Sequence, residues 1–205
     1  MNLKYKIKYS ILKGGDIIQN AINEYAELYN ENRIYAELIK NNRLNENELI
    51  EILVNEKYNL HIDDWVLARA AEKFMKKLVQ QLIIYMDNHN IERGDGMYTF
   101  VIKSDNVEMY NWILNNYGEN NRLKLYRVAS AALNGSINIL KFFIDKGYEI
   151  SRNICDHAIQ GENIEILDLL KSKNLLTCDK EAEYTAKEIK NEQIINWLKV
   201  NNVIN

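Results

Sequence analysis

The sequence predicts an all-α fold, an α-solenoid of stacked helix-turn-helix units, and three observations support this prediction. From Ile17 onwards the apolar residues recur at helical spacing. The helical segments are short, about 8 to 14 residues, and helices of that length are stable only when they pack on neighbours. A common pattern also returns at intervals of 27 to 30 residues, which indicates a repeat architecture.

The N-terminal segment has a different pattern. Apolar and polar residues alternate from Leu3 to Ile11, which favours one short β-strand, and Gly14-Gly15 ends the alternation. A frayed segment is the alternative, because a lone strand in a helical protein has no obvious partner. We therefore assign residues 1–31 to an N-terminal cap or extension, with Asp16 as the expected N-cap of the first helix.

The repeated pattern is clearest in the second helix of each predicted pair. It has the form apolar-x-apolar-apolar-x-apolar-apolar and begins at residues 107, 137, 164 and 192, the last with a polar first position. Weaker copies begin near residues 47 and 77, and a helix precedes every copy. One helix pair cannot bury its apolar face alone, whereas stacked pairs share a core. The predicted repeat array covers residues 32–205, in units 32–60, 61–94, 95–122, 123–150, 151–178 and 179–205.

The best-formed unit carries a family resemblance. Ala131-Ala132 and Gly135 end its first helix, Ile139-Leu140-Lys141-Phe142-Phe143 forms its second, and Asp145-Lys146-Gly147 closes it. These residues resemble the ankyrin repeat. The resemblance implies an inner helix whose alanines allow close packing, and Gly135 and Gly147 are expected to take the positive φ that helix ends often need.

The sequence departs from the ankyrin pattern in several places. The Thr-Pro-Leu-His signature is absent, since the chain contains no proline, and the Asp-x-x-Gly of the β-turn finger is missing. Units of 27 to 30 residues are also short, because an ankyrin repeat has about 33. We therefore expect abbreviated loops. With its composition rich in Asn, Ile and Tyr, the chain is similar to divergent ankyrin repeat proteins of large DNA viruses.

Composition narrows the class of partner and the compartment. The net charge is −3, from 26 basic and 29 acidic residues, so nucleic acid is not an expected partner. No apolar run approaches the roughly 18 residues that a membrane span needs, and we expect no membrane partner. The two cysteines are too few for a disulfide framework, which favours a reducing compartment: the cytoplasm, or the host cytoplasm for a viral protein.

Three groups of residues could suggest chemistry. Cys155, His157 and Cys178 contain metal-ligand types, but residues 155 and 157 lie on different faces of a helix. His61 with Asp63 and Asp64 could perform acid–base work, although the two aspartates are more simply helix caps. Arg93-Gly94-Asp95 is an integrin-type tripeptide of a kind that arises by chance. We therefore expect no catalytic, cofactor or metal site.

These observations favour a non-catalytic protein-interaction module over an enzyme. The alternative is a structural or assembly protein that oligomerises through its N-terminal strand. A small catalytic or nucleotide-binding domain would need a deep pocket with converging polar groups. The oligomeric state stays open, and the partner is expected to be another protein. Its expected binding surface is the concave face of the inner helices and adjoining loops, with Lys124, Arg127, Ser130, Arg152 and Asp156 as contacts.

Overall fold

A computed structural model describes residues 17–55, 58–178 and 180–203 of the chain. These residues form thirteen α-helices and no strand, so the all-α prediction is confirmed for the part of the chain that the structure describes. The strand predicted from Leu3 to Ile11 and the cap predicted at Asp16 lie outside the described residues.

The chain divides into two compact units, residues 1–100 and 101–205. The boundary falls within α6, Gly96–Lys103. Short 3₁₀ turns at Glu31–Arg33 and Asn121–Leu123 lead into α2 and α8. The other helices of the first unit are α1 Ile17–Leu28, α2 Ile34–Lys40, α3 Glu46–Val54, α4 Asp64–Glu72 and α5 Lys76–Asn88. Those of the second are α7 Val107–Tyr117, α8 Lys124–Leu133, α9 Ile137–Asp145, α10 Ile154–Gln160, α11 Ile164–Ser172, α12 Lys180–Ile189 and α13 Glu192–Val200.

Each unit has two layers of helices. In the first unit α2 lies beside α4 and α3 beside α5, while α1 packs on α2 and α4 on α5. In the second unit α10 lies between α8 and α12, and we call these three the inner helices. Helix α9 lies between α7 and α11 in the other layer. The repeated pattern predicted helices beginning at residues 107, 137, 164 and 192, and α7, α9, α11 and α13 begin there.

A backbone conformation recurs at the turn inside every helix pair. One residue of each turn has a positive φ, and these residues are 27 to 32 positions apart. The expected positive φ values of Gly135 and Gly147 are confirmed, at 69° and 74°. In the turn after α8, Ser136 N donates to Ala131 O at 2.9 Å, which satisfies a carbonyl that the helix end leaves unpaired. The residues that take a positive φ inside the six pairs are Asn42, Phe74, Asp105, Gly135, Glu162 and Lys190.

In the core of the second unit, alanines of the inner helices pack with large side chains from the helices of the other layer. Ala131 and Ala158 are fully buried on inner helices, and Leu140 and Phe143 are fully buried on α9. Burying each large side chain stabilises the fold by roughly 1.5–3 kcal/mol. No helix among the described residues has the length and apolar character needed to cross a bilayer.

The two cysteines are joined. Cys155, fully buried at the start of α10, forms a disulfide with Cys178, which precedes α12 and lies 23 residues along the chain. Thr177 Oγ1 also donates to Arg152 O at 3.3 Å, so the same two segments are held by a hydrogen bond. Counting cysteines excluded a framework of disulfides but missed this single bond, because cysteines 23 residues apart become neighbours only when α10 and α12 pack side by side.

We expect reduction of the Cys155–Cys178 bond to destabilise the second unit by about 3 kcal/mol, since the bond closes a loop of 23 residues and restricts the unfolded chain. The measurement is urea unfolding with and without a phosphine reductant. The Cys178→Ser variant is the control, because its midpoint should not respond to the reductant. Equal midpoints for the wild-type protein in both conditions would contradict the expectation.

A second prediction concerns the close approach of α10 to α8 at Gly161. A Cβ atom there would lie 2.0 Å from Leu133 O and 2.4 Å from Asn163 Nδ2, so the backbone must shift. We expect Gly161→Ala to cost about 2–3 kcal/mol of unfolding free energy.

The matched control is Gly147→Ala. Gly147 has a φ of 74°, but a Cβ there meets nothing within 4 Å. Only the backbone penalty of about 1 kcal/mol applies. If urea unfolding shows the two variants to be equally stable, the close approach at Gly161 does not limit the packing of α8 and α10.

Candidate functional site

The inner helices of the second unit share one exposed surface. We define it by the positions nine, five and two residues before the positive-φ residue of each turn, a spacing that keeps three side chains on one side of a helix. We call this surface the inner-helix face. Its residues are Tyr126 and Leu133 on α8, Asn153, His157 and Gln160 at α10, and Glu181, Thr185 and Glu188 on α12, whereas Ser130, the middle position on α8, is buried.

The chemistry of the inner-helix face changes from one helix to the next. On α8, Tyr126 is 58% exposed and Leu133 is 41% exposed, so this part of the face is apolar. At α10 the exposed side chains are the amides of Asn153 and Gln160. Burial lowers the pKa of His157, which lies between them, so its imidazole is neutral at pH 7. On α12 the exposed residues are the acids Glu181 and Glu188.

A buried carboxylate lies beside the face. The Glu119 side chain is 5% exposed and accepts hydrogen bonds from Tyr110 Oη at 2.8 Å and Tyr148 Oη at 2.5 Å. The Arg127 guanidinium, 1% exposed, donates to Glu119 Oε1 at 2.9 Å. Lys124 Nζ lies 3.6 Å from Glu119 Oε2 and over the Tyr148 ring. Each of these donors compensates for removing the carboxylate from water.

The protonation states of this network follow from the same contacts. Burial by itself raises the pKa of Glu119, but the hydrogen bonds from Tyr148, Tyr110 and Arg127 outweigh it, so the pKa is lowered. Burial raises the pKa of Tyr110 and of Tyr148, so both hydroxyls stay protonated and donate. Glu119 is therefore ionised throughout the neutral range.

The network fixes two loops that border the inner-helix face. Glu119 lies in the loop between α7 and α8, and Tyr148 lies in the loop between α9 and α10. Their 2.5 Å hydrogen bond joins one loop to the next, and Phe143 stacks on Tyr148 with ring centroids 4.8 Å apart. The short loops are thus held by a buried charge rather than by β-hairpins.

The five predicted contact residues have different environments. Lys124 is half-buried and Arg152 is exposed. Arg127, Ser130 and Asp156 are 1%, 8% and 6% exposed, so the expectation that these three side chains are exposed is wrong. Arg127 occupies a core position because Glu119 neutralises it there. Which residues bind a partner stays a prediction.

Sequence reasoning missed Tyr126 and Leu133. Both are large and apolar, and a helical pattern assigns such residues to the core by default. Gly135 could have identified them, because counting back nine and two residues from its positive-φ turn places both on the exposed side. The equivalent positions near α10 are Asn153 and Gln160. Both are polar, as expected for exposed positions.

The first unit has an aromatic–cation cluster on α4. The Arg69 guanidinium lies 4.8 Å from the Trp65 ring and 4.5 Å from the Phe100 ring, and Glu72 Oε2 accepts from it at 2.6 Å. The guanidinium of Arg33, in the 3₁₀ turn before α2, lies 5.2 Å from the centre of the Trp65 ring. Tryptophan and arginine are enriched at protein-interface hot spots, so this cluster is a secondary candidate contact.

The residues considered for acid–base chemistry have structural roles. Asp63 Oδ1 accepts from Val66 N at 3.0 Å, which confirms it as the cap of α4. Its Oδ2 lies 3.3 Å from His61 Nε2 at an exposed position. Asp64 instead accepts from the Gly94 and Gly96 amides, and burial raises its pKa despite those bonds. The Arg93-Gly94-Asp95 tripeptide is therefore anchored by its glycine.

His61 and Asp63 border a solvent-open groove of about 810 Å³ in the first unit. Its wall also includes Tyr58, Tyr85 and the apolar Ile22. No cluster of three or more His, Cys, Asp or Glu that could hold a metal occurs among the described residues.

No protein-family model matches the sequence, and no curated protein is significantly similar to it.

We expect Glu119→Gln to lower the unfolding free energy by about 3–5 kcal/mol, because it removes the carboxylate that pairs with the buried Arg127 guanidinium. Replacing both residues, as in Glu119→Leu with Arg127→Met, should recover part of this loss. The matched control is Glu149→Gln, an exposed acid whose change should stay within about 0.5 kcal/mol. Urea unfolding at neutral pH provides the comparison.

The pH dependence gives an independent readout of the same pair. Since the folded-state pKa of Glu119 is lowered, its stabilisation is complete above the unfolded-state pKa and is lost as the pH falls through the folded-state pKa. Stability of the wild-type protein should therefore fall more steeply in acid than that of Glu119→Gln. If the unfolding free energies of the two proteins change with pH in parallel, the ionisation of Glu119 does not stabilise the fold.

Proposed function

We propose that this chain is a non-catalytic protein-interaction module that binds another protein through the inner-helix face of its second unit. The observation that carries the proposal is the exposure of Tyr126 and Leu133 on an inner helix that buries Val128, Ala131 and Ala132 and leaves Leu125 43% exposed as well. Exposed aromatic and aliphatic side chains on a rigid support favour association, since burying them removes apolar surface from water.

The charge distribution suggests how a partner is oriented. Lys124 and Arg152 lie at the starts of α8 and α10, whereas the exposed residues Glu181 and Glu188 lie on α12. A partner would complement this face if it placed an apolar side chain against Tyr126 and a basic side chain against the acids of α12. Electrostatic complementarity of this kind fixes the register and speeds association.

Pre-organisation supports the same proposal. The Glu119 network holds the bordering loops, and the hydrogen bond from Thr177 Oγ1 to Arg152 O holds the segment before α12. A surface that is already ordered costs less conformational entropy when it binds. Stacked inner helices that present an extended face are a general property of repeat proteins, so the proposal includes a divergent ankyrin-type solenoid, similar to those of large DNA viruses.

The compartment is part of the proposal. We propose the cytoplasm, or the host cytoplasm for a viral protein. In a reducing compartment Cys155 and Cys178 would be thiols, since cytosolic disulfides are rare. Mass spectrometry of protein isolated under alkylating conditions decides between the two states, because free thiols take up the alkyl label and disulfide-bonded cysteines do not. Assembly through the N-terminal strand stays an alternative, because residues 3–11 lie outside the described part.

We expect the double change Tyr126→Ser with Leu133→Ser to weaken partner binding on the order of a hundredfold, since two anchors at an interface centre contribute about 1–2 kcal/mol each. The partner is captured with the immobilised wild-type chain, purified, and titrated by calorimetry against each variant. Thermal unfolding should change little, because both side chains are already exposed.

The matched control is Val200→Ser. Val200 is 72% exposed on α13, outside the inner-helix face. Its variant should bind the captured protein as the wild type does. If the control loses affinity, or the double variant keeps it, the partner binds elsewhere and the proposed face is refuted.

A further inference from the structure

The turn between α4 and α5 has an unusual residue at its centre. Phe74 has a φ of 61°, the left-handed conformation that bulky side chains rarely adopt. The turn residues Asn42 and Gly135 take the same conformation at lower cost. Among the described residues, Phe74 is the one aromatic residue with a positive φ.

The fold requires the positive φ but not the phenylalanine. Phe74 is 37% exposed, and the ammonium of Lys76 lies over its ring, 4.4 Å from the ring centroid. The turn itself is held by backbone bonds, such as Met75 N to Ala70 O at 3.0 Å, that do not depend on the side chain. Asn42 and Gly135 take this conformation at lower cost in the equivalent turns, so an exposed phenylalanine here points to a function.

The surroundings of Phe74 are basic. Lys73, Lys76 and Lys77 lie within three residues of it, at half-buried or exposed positions. Glu72, the neighbouring acid, is bonded to Arg69 at 2.6 Å. Glu46 Oε1 accepts from Leu78 N at the start of α5. The turn thus combines one exposed aromatic ring with three ammonium groups, and we call residues 73–77 the lysine–phenylalanine turn.

We propose that the lysine–phenylalanine turn binds the surface of a membrane rich in anionic lipid. The three lysines would contact lipid phosphates and carboxylates, and the Phe74 ring would enter the headgroup layer. Lysine favours a lipid surface over a protein partner, since protein interfaces are enriched in arginine and depleted of lysine.

The lack of a long apolar run led us to expect no membrane partner, but peripheral binding needs no such run. One basic aromatic turn gives weak, salt-sensitive association, because the attraction to the membrane is screened by ions. This contact is independent of partner binding at the inner-helix face.

The test is co-sedimentation of the full chain with phosphatidylcholine vesicles, with and without phosphatidylserine, at low and high salt. We expect binding only with phosphatidylserine, and less at high salt. Phe74→Asn should reduce the bound fraction several-fold while the thermal midpoint stays equal or rises, since asparagine suits a positive φ. Replacing Lys73, Lys76 and Lys77 by Gln should lower the partition coefficient about tenfold to a hundredfold.

A competing source of binding is the N-terminal segment, where Lys4, Lys6, Lys8 and Lys13 precede the first acidic residue. A variant with these four lysines changed to Gln is the matched control, and it should retain Phe74-dependent binding. Binding lost only in this control, or equal binding to neutral vesicles, would overturn the proposal. Phe74-dependent binding to polyglutamate without vesicle binding would instead assign the turn to an acidic protein.

Discussion

The geometry of the turn inside each helix pair is the constraint on which the remaining structure depends. A single residue with a positive φ reverses the chain within a few residues, so the two helices of a pair lie against each other. Where the residue is Gly135 or Asn42 the conformation costs little. Because the turn recurs at 27 to 32 residues, the helix pairs within each unit bury similar apolar sides, and short helices that are marginal alone share that unit's core.

In the second unit, a buried ion pair also orders the short loops. A carboxylate such as that of Glu119 is costly to bury, and the cost is offset only when every donor is in place. The dependence of Glu119 on Arg127 and Tyr148 is therefore also a source of specificity, because a misplaced loop leaves a buried charge unpaired. Stability and loop position are coupled through one side chain, which explains how loops without β-hairpins can border an ordered face.

Most of the helical pattern could be predicted from the sequence, because apolar spacing reports which side of a helix is buried. The helix that starts at Val107 was found in this way, and so was the positive φ of Gly135. The side-chain assignments at the candidate site were harder. Arg127 lies in the core, where Glu119 reaches it from a preceding loop, and no local pattern encodes such a contact. Likewise, Tyr126 is exposed although its residue type suggests burial.

The disulfide between Cys155 and Cys178 has a mechanical consequence. If the chain is pulled from its ends, force passes through the sulfur atoms and bypasses the 23-residue stretch between them. That stretch, which includes α10 and α11, cannot be extended while the bond is intact. The fully stretched molecule is then shorter by roughly 80 Å than the reduced one. The oxidation state of two atoms would thus set how far the molecule can reach under tension.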